Sequence, residues 1–102
     1  MININNLYEG DYPAENNEVF SILFQNKTLK IESIRSSLKT AGELYDQDQD
    51  EWVLLLQGEA RIEIKGELRN IRSGDYLFLP KHTLHRVIST SDNALWLGVF
   101  SS

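Results

Sequence analysis

Two histidines and a glutamate carry most of the chemistry that this 102-residue chain could perform. His85 opens the run His85-Arg-Val-Ile-Ser-Thr90, in which alternation places it on one face with Val87 and Ser89. An imidazole on an inward strand face can ligate a metal or move a proton near neutral pH. The plainer alternative is a partly buried histidine satisfied by one hydrogen bond. Glu51 opens the apolar run Glu51-Trp-Val-Leu-Leu-Leu56 and shares a face with Val53 and Leu55. A carboxylate there must be paired, protonated or bound to a cation, because burying an unpaired charge is costly. Its plain alternative is a strand-end glutamate in solvent, or one paired with Arg86 or Lys81. His82, three residues before His85, is either a second ligand from the same turn or a turn residue at positive φ, where His is enriched among non-glycine residues.

Other chemistries are excluded by what the chain lacks. Without cysteine there is no disulfide, thiolate ligand or cysteine nucleophile. Asp46, Asp48 and Asp50 alternate like the start of a calcium-binding loop. Glu51 and Gln57 stand where that loop needs its glycine and its final glutamate, so the run reads as a solvated acidic loop. No phosphate-binding loop, dinucleotide fingerprint, nucleophile elbow or zinc-protease motif is present. A formal net charge of −5 with scattered Lys and Arg argues against a nucleic-acid partner. No apolar run approaches the roughly 18 residues of a membrane helix, and Met-Ile-Asn-Ile-Asn-Asn does not read as a signal peptide. A cytoplasmic location and no membrane partner are the default expectations.

The elements that must position Glu51 and His85 read as strands. The length fits one domain, residues 1–102, with a loose lead-in over 1–18 containing one short strand and one helical turn. From residue 19 onward, period-2 runs alternate with turn signals every 8–12 residues. The predicted strands are 19–25, 29–36 (Leu29 and Ile31 sharing a face), 51–56, 60–65 (Ile62 and Ile64 inward), 68–72, 76–79, 85–90 and 94–100. Gly66-Glu67 is the expected hairpin turn, and Pro80 ends a strand. The runs around Trp52 and Trp96 are apolar on both faces, so the outer face needs a cover. Either the lead-in or a second subunit would supply it; the expectation is a homodimer that buries Trp52, Trp96 or both.

Two segments together resemble the motif pair of the cupin family. Glu51-x6-Gly58, with Gly42 upstream, is similar to the second half of its first motif; Gly74-x5-Pro80 with His85 is similar to its second motif, with fifteen residues between Gly58 and Gly74. The resemblance covers roughly residues 38–100. It implies an all-β double-stranded helix, a jelly-roll barrel of two antiparallel sheets. More narrowly the pattern resembles small single-domain bacterial cupins of unassigned activity. Family members bind a metal through two histidines and a glutamate of the first motif and the histidine of the second. Carried over, Glu51 and His85 match. The two remaining histidine positions fall on Tyr45 and Gln47 or, with a longer gap, on Leu44 and Asp46.

The implied ligand site is therefore Tyr45, Gln47, Glu51 and His85. A metal would rest on Gln47, Glu51 and His85, with His82 as a further candidate. Such an oxygen-rich shell favours a divalent ion of the manganese, iron or magnesium type, held weakly. Glu51 and His85 are expected to face each other inside the barrel, and a carboxyl beside an imidazole is expected to ionise more easily. Three functions stay open. The first is a small polar ligand bound inside the barrel, with isomerase, lyase or oxygenase chemistry if the chain is an enzyme and His85 or Glu51 as the proton-moving group. The others are a non-enzymatic ligand sensor and a purely structural dimer.

Overall fold

The computed structural model describes residues 2–102, and Met1 lies outside the described residues. Eight strands follow one another: β1 (Glu18–Gln25), β2 (Leu29–Ser36), β3 (Asp50–Gln57), β4 (Glu59–Ile64), β5 (Glu67–Arg72), β6 (Tyr76–Leu79), β7 (His85–Thr90) and β8 (Ala94–Ser101). All pairings are antiparallel. They form a five-stranded sheet in the order β1-β2-β8-β3-β6 and a three-stranded sheet in the order β5-β4-β7. The all-β, two-sheet expectation holds. The sheets face each other without joining into one closed ladder. Among the described residues no helix is long and apolar enough to cross a membrane.

Turn chemistry sets the strand boundaries. Lys65 and Gly66 both have positive φ, 51° and 80°, as a two-residue hairpin loop requires. The β4–β5 turn therefore sits one residue earlier than Gly66-Glu67. Asn93 and Gly74 hold positive φ at two further corners, 51° and 94°.

The core lies between the sheets. Val53, Leu55, Leu79, Ala94 and Trp96 come down from the larger sheet onto Ala60 and Ile62 of the smaller one. Ile62 faces in as its alternation predicted. Trp96 does not serve an outer cover: it is turned inward and buried, opposite Leu55 and Ile34. On β2 the inward residues are Lys30, Glu32 and Ile34, directly opposite Phe100, Gly98 and Trp96, while Ile31 points outward.

Two irregular segments finish the architecture. Residues 38–45 run along the free edge of β7. The Thr90 N–H donates to Leu38 O, the Gly42 N–H to Val87 O, and Tyr45 and His85 exchange both backbone bonds at 2.8 and 3.2 Å. The lead-in forms bends and turns, with neither the short strand nor the helical turn expected of it. Arg35, buried on the outer face of β2, donates to Leu7 O, Glu9 O and Asn93 Oδ1. The lead-in thus covers the Arg35 and Leu95 end of the outer face.

Candidate functional site

Glu51 and His85 come from opposite sheets and meet over one cavity. Glu51 is the second residue of β3, opposite Leu79 and Phe100. His85 is the first residue of β7, opposite Ile64. Their side chains are 8% and 14% exposed, and His85 Nε2 lies 3.6 Å from Glu51 Oε1. That gap is too long for a direct hydrogen bond and short enough for a small adjustment, or a ligand atom, to bridge.

The imidazole is oriented from behind. Its Nδ1 lies 2.8 Å from the Thr83 carbonyl oxygen, which can only accept. Nδ1 therefore carries the proton in the neutral ring, and the Nε2 lone pair faces Glu51. Tyr45 holds the ring from one side: its phenol ring stacks on the imidazole with centroids 5.6 Å apart and planes 30° apart. The backbone bridge between the same two residues fixes that stack.

Glu51 behaves as an acid rather than a fixed anion. Burial raises its carboxyl to about 7; the Glu32 carboxylate adds to the rise and the Lys30 ammonium offsets part of it. The direction is opposite to the expected easing of its ionisation: desolvation is the largest cause, and the only group that lowers the value is Lys30. The Tyr45 phenol is likewise held above its ordinary value, by burial first and then by Glu18, Glu43, Glu51 and Glu32. Gly98 lies opposite both Val53 and Glu32. A Cβ added there would stand 3.0 Å from the Phe100 ring and 3.6 Å from Glu51 Oε2. The bare backbone gives both groups their room.

The cavity has a volume of about 130 Å³, and its walls are mainly apolar: Ile34, Val53, Ile62, Leu77, Leu79 and Trp96 among them. Tyr45 and Gln47 line it too, so all four expected ligand-site residues border one space. His82 does not. It sits at positive φ in the turn after β6, exposed, with Nδ1 2.8 Å from Asp46 Oδ1. Sterics of the turn, rather than a ligand, explain it, and Asp46 and Asp48 are solvated as expected. The plain alternatives for Glu51 also fall away: it is buried, Arg86 lies 3.2 Å from Glu63, and among the described residues the one ion-pair partner within 4 Å of Glu51 is His85.

The sequence reading missed Lys30, Glu32 and Glu18. The Lys30 ammonium sits 4.6 Å from the centre of the Phe100 ring and 3.7 Å from Glu32 Oε2. Glu18 accepts from the Ser36 hydroxyl at 2.8 Å. The period-2 trio Lys30, Glu32, Ile34 is the available signal, but Leu29 and Ile31 share the opposite face and the rule of an apolar inner face favours that one.

Comparison with known proteins follows from this geometry. The cupin-domain family model matches residues 38–100. The chain belongs to the cupin family. The fold of this cupin is shared by a crystal structure from Ralstonia eutropha JMP134, provisionally named a mannose-6-phosphate isomerase. It is 37% identical, with 98% of each chain covered and a TM-score of 0.83. KdgF from Halomonas sp. is 22% identical over 90% of this chain and 86% of its own, with a TM-score of 0.78, a likeness of fold. An uncharacterized protein of Aquifex aeolicus (strain VF5) is 27% identical over 85 residues, 82% of this chain and 70% of its own.

Many cupins carry a metal, and the donors here fit one poorly. Glu51 and His85 offer one carboxylate and one nitrogen. Among the described residues no three His, Cys, Asp or Glu groups converge. Glu32 is occupied by Lys30 and Glu18 by Ser36. A metal would also have to compete with the proton at Glu51, whose carboxyl burial raises to about 7.

Proposed function

We propose that this cupin binds a compact, largely apolar small molecule through one polar end, held between Glu51 and His85 without a resident metal. The observation that carries this reading is the pair itself: a buried carboxyl raised to about 7 and an imidazole whose Nε2 faces it, 3.6 Å apart in an otherwise apolar cup. A protonated carboxyl donates to a ligand oxygen, and Nε2 accepts from a ligand hydroxyl. A cavity of about 130 Å³ with mainly apolar walls suits a compact ligand. A sugar phosphate, suggested by the name of the Ralstonia relative, suits it badly. The cations at the cavity, Lys30 and Arg86, already lie within 3.7 and 3.2 Å of Glu32 and Glu63. The apolar outer face of the larger sheet supports a homodimer as the working unit, and a cytoplasmic setting accords with the cysteine-free composition.

A second reading has one observation in its favour. A carboxyl and an imidazole side by side are the equipment of a proton-transfer isomerase. With a small carbonyl compound, Glu51 would donate its proton to the carbonyl oxygen while His85 Nε2 takes one from the adjacent carbon, leaving an enol.

One panel of small uncharged alcohols, ketones and hydroxyketones tests both readings. Saturation by a true ligand at a hundredfold excess over Kd stabilises by about 2.7 kcal/mol. At least one member should raise the melting temperature of the chelator-treated protein, and His85→Ala should abolish the rise. No rise with any member, or a rise that requires added manganese, iron or magnesium, would overturn the metal-free binding site. Incubating the binders in heavy water separates the readings: deuterium at the carbon beside the carbonyl makes the protein an isomerase, and its absence leaves it a binder.

A further inference from the structure

We propose that the polar end this cavity receives is a primary ammonium on a compact apolar body. The inference rests on the binding reading above and names its class of ligand. Three carboxyls border the cavity, those of Glu18, Glu32 and Glu51, against two basic side chains, Lys30 and Arg86. Arg86 is engaged by Glu63, 3.2 Å away. Lys30 has one carboxyl within reach, Glu32 at 3.7 Å. Glu18 meets a neutral group, the Ser36 hydroxyl. The cavity thus holds more carboxyls than free cations, and its apolar walls screen them little. Such a space draws a cation and turns away an anion.

Glu51 adds an unfilled contact to that charge. Its side chain is 8% exposed and lines the cavity, and its one ion-pair neighbour among the described residues, His85 Nε2, stops at 3.6 Å, short of a hydrogen bond. His85 Nδ1 directs its proton to Thr83 O, so Nε2 offers a lone pair to the same space. Ionised Glu51 and Nε2 are then two acceptors at one gap with no donor between them. A hydroxyl brings one proton and serves one of them. An ammonium brings three and serves both. Its charge also compensates a buried carboxylate, which is costly when unpaired. The Tyr45 phenol has the same surroundings: every charge that acts on it is a carboxylate, namely Glu18, Glu43, Glu51 and Glu32.

Lys30 shows how the cavity wall accommodates such a group. Its ammonium lies 4.6 Å from the centre of the Phe100 ring as well as beside Glu32. A carboxylate and an aromatic face together are what an organic cation seeks. Phe20, Tyr45 and Trp96 bring three more rings to the cavity, and these suit the apolar body of the ligand. At about 130 Å³ the cavity limits that body to a short one.

Calorimetric titration of the chelator-treated protein at pH 8 tests this with a matched pair, isobutylamine and isobutanol. The two share a skeleton and differ in the polar end. An alkylamine, like lysine with its value of about 10.4, is protonated at that pH. The amine should bind at least tenfold tighter than the alcohol. Glu51→Gln keeps the shape and removes the charge, and should bring the two within threefold. Glu67→Gln makes the same charge change at an exposed position and should leave the wild-type ratio. Should Glu51→Gln lack the wild-type circular dichroism, the wild-type ratio decides alone. An alcohol that binds as tightly as the amine, an amine preference that survives in folded Glu51→Gln, or one that Glu67→Gln abolishes, overturns the cationic class and leaves the cavity reading standing. If neither compound binds, both fall.

Discussion

Glu51→Gln should make this protein more stable above neutral pH, although it removes the residue at the centre of the proposed site. The sign follows from linkage. Burial, with the Glu32 carboxylate adding and Lys30 offsetting, moves the Glu51 carboxyl from its ordinary 4.5 to about 7 in the folded chain. The folded state then holds a proton that the unfolded state has released. The stabilisation linked to that proton is complete below pH 4.5 and is lost as pH rises through 7. At about 1.4 kcal/mol per tenfold, the loss comes to about 3 kcal/mol. Glutamine keeps the shape without the ionisation. Its stability should therefore stay level over the range where the wild type falls. At pH 8 the variant should lead by about 2–3 kcal/mol, a rise in Tm on the order of 10 °C for a domain of this size; at pH 4.5 the two should nearly coincide. Urea titrations at the two pH values measure this directly. A variant less stable than the wild type at pH 8 would mean that His85 compensates an ionised Glu51, and the pair would be a salt bridge rather than an acid beside a base.

Gly58→Ala should cost about 3 kcal/mol or more, and Gly74→Ala distinctly less. Gly58 follows the strand of its motif and Gly74 precedes the strand of the other, and both hold positive φ, 98° and 94°. A side chain at such a conformation costs on the order of 1–3 kcal/mol. Gly58 carries a second burden. A Cβ there would stand 2.5 Å from Ser91 Oγ and 3.2 Å from the Ala94 backbone, whereas nothing lies within 4 Å at Gly74. Ser91 Oγ cannot simply swing away, because it accepts the Glu59 N–H at 2.9 Å. Moving it strips the first residue of β4 of that partner and presses on Ala94, which is fully buried. Thermal melts of the two variants at one pH compare them; equal losses would show that backbone strain alone decides at Gly58.

The difference between those glycines also shows what a sequence can and cannot reveal. That both stand at strand corners is legible from their spacing to Glu51 and Pro80. That one corner is crowded and the other open depends on Ser91 and Ala94, over thirty residues away in the chain. Strand limits were legible for the same local reason: turn residues punctuate period-2 runs. Glu51 and His85 could be paired in advance because each opens a strand after its motif turn. The facing of β2 could not. An inward apolar face is the usual rule, but here the interior is a cavity that receives Lys30 and Glu32, and Ile31 joins an apolar exterior. In β8 both faces are apolar, so alternation gives no preference between Trp96 and Leu97. The Lys65-Gly66 turn was missed because a lysine at positive φ carries no side-chain signature.

Strand β8 is last in chain order yet lies at the centre of the larger sheet, between β2 and β3. Its place has a consequence for how the protein is made. Translation proceeds at about 5–20 residues per second, and until residues 94–101 emerge, the β1–β2 hairpin and the β3–β6 pair have no strand to join them. The apolar runs of β1 and β3 therefore wait in solvent through the synthesis of β4 to β7, the interval in which a nascent chain most needs a chaperone. A fragment ending at Asn93 should show no slowed amide exchange in Leu29–Ser36; protection there would place sheet assembly before the arrival of β8. In the folded domain this strand acts as a latch that joins the β1–β2 hairpin to the β3–β6 pair.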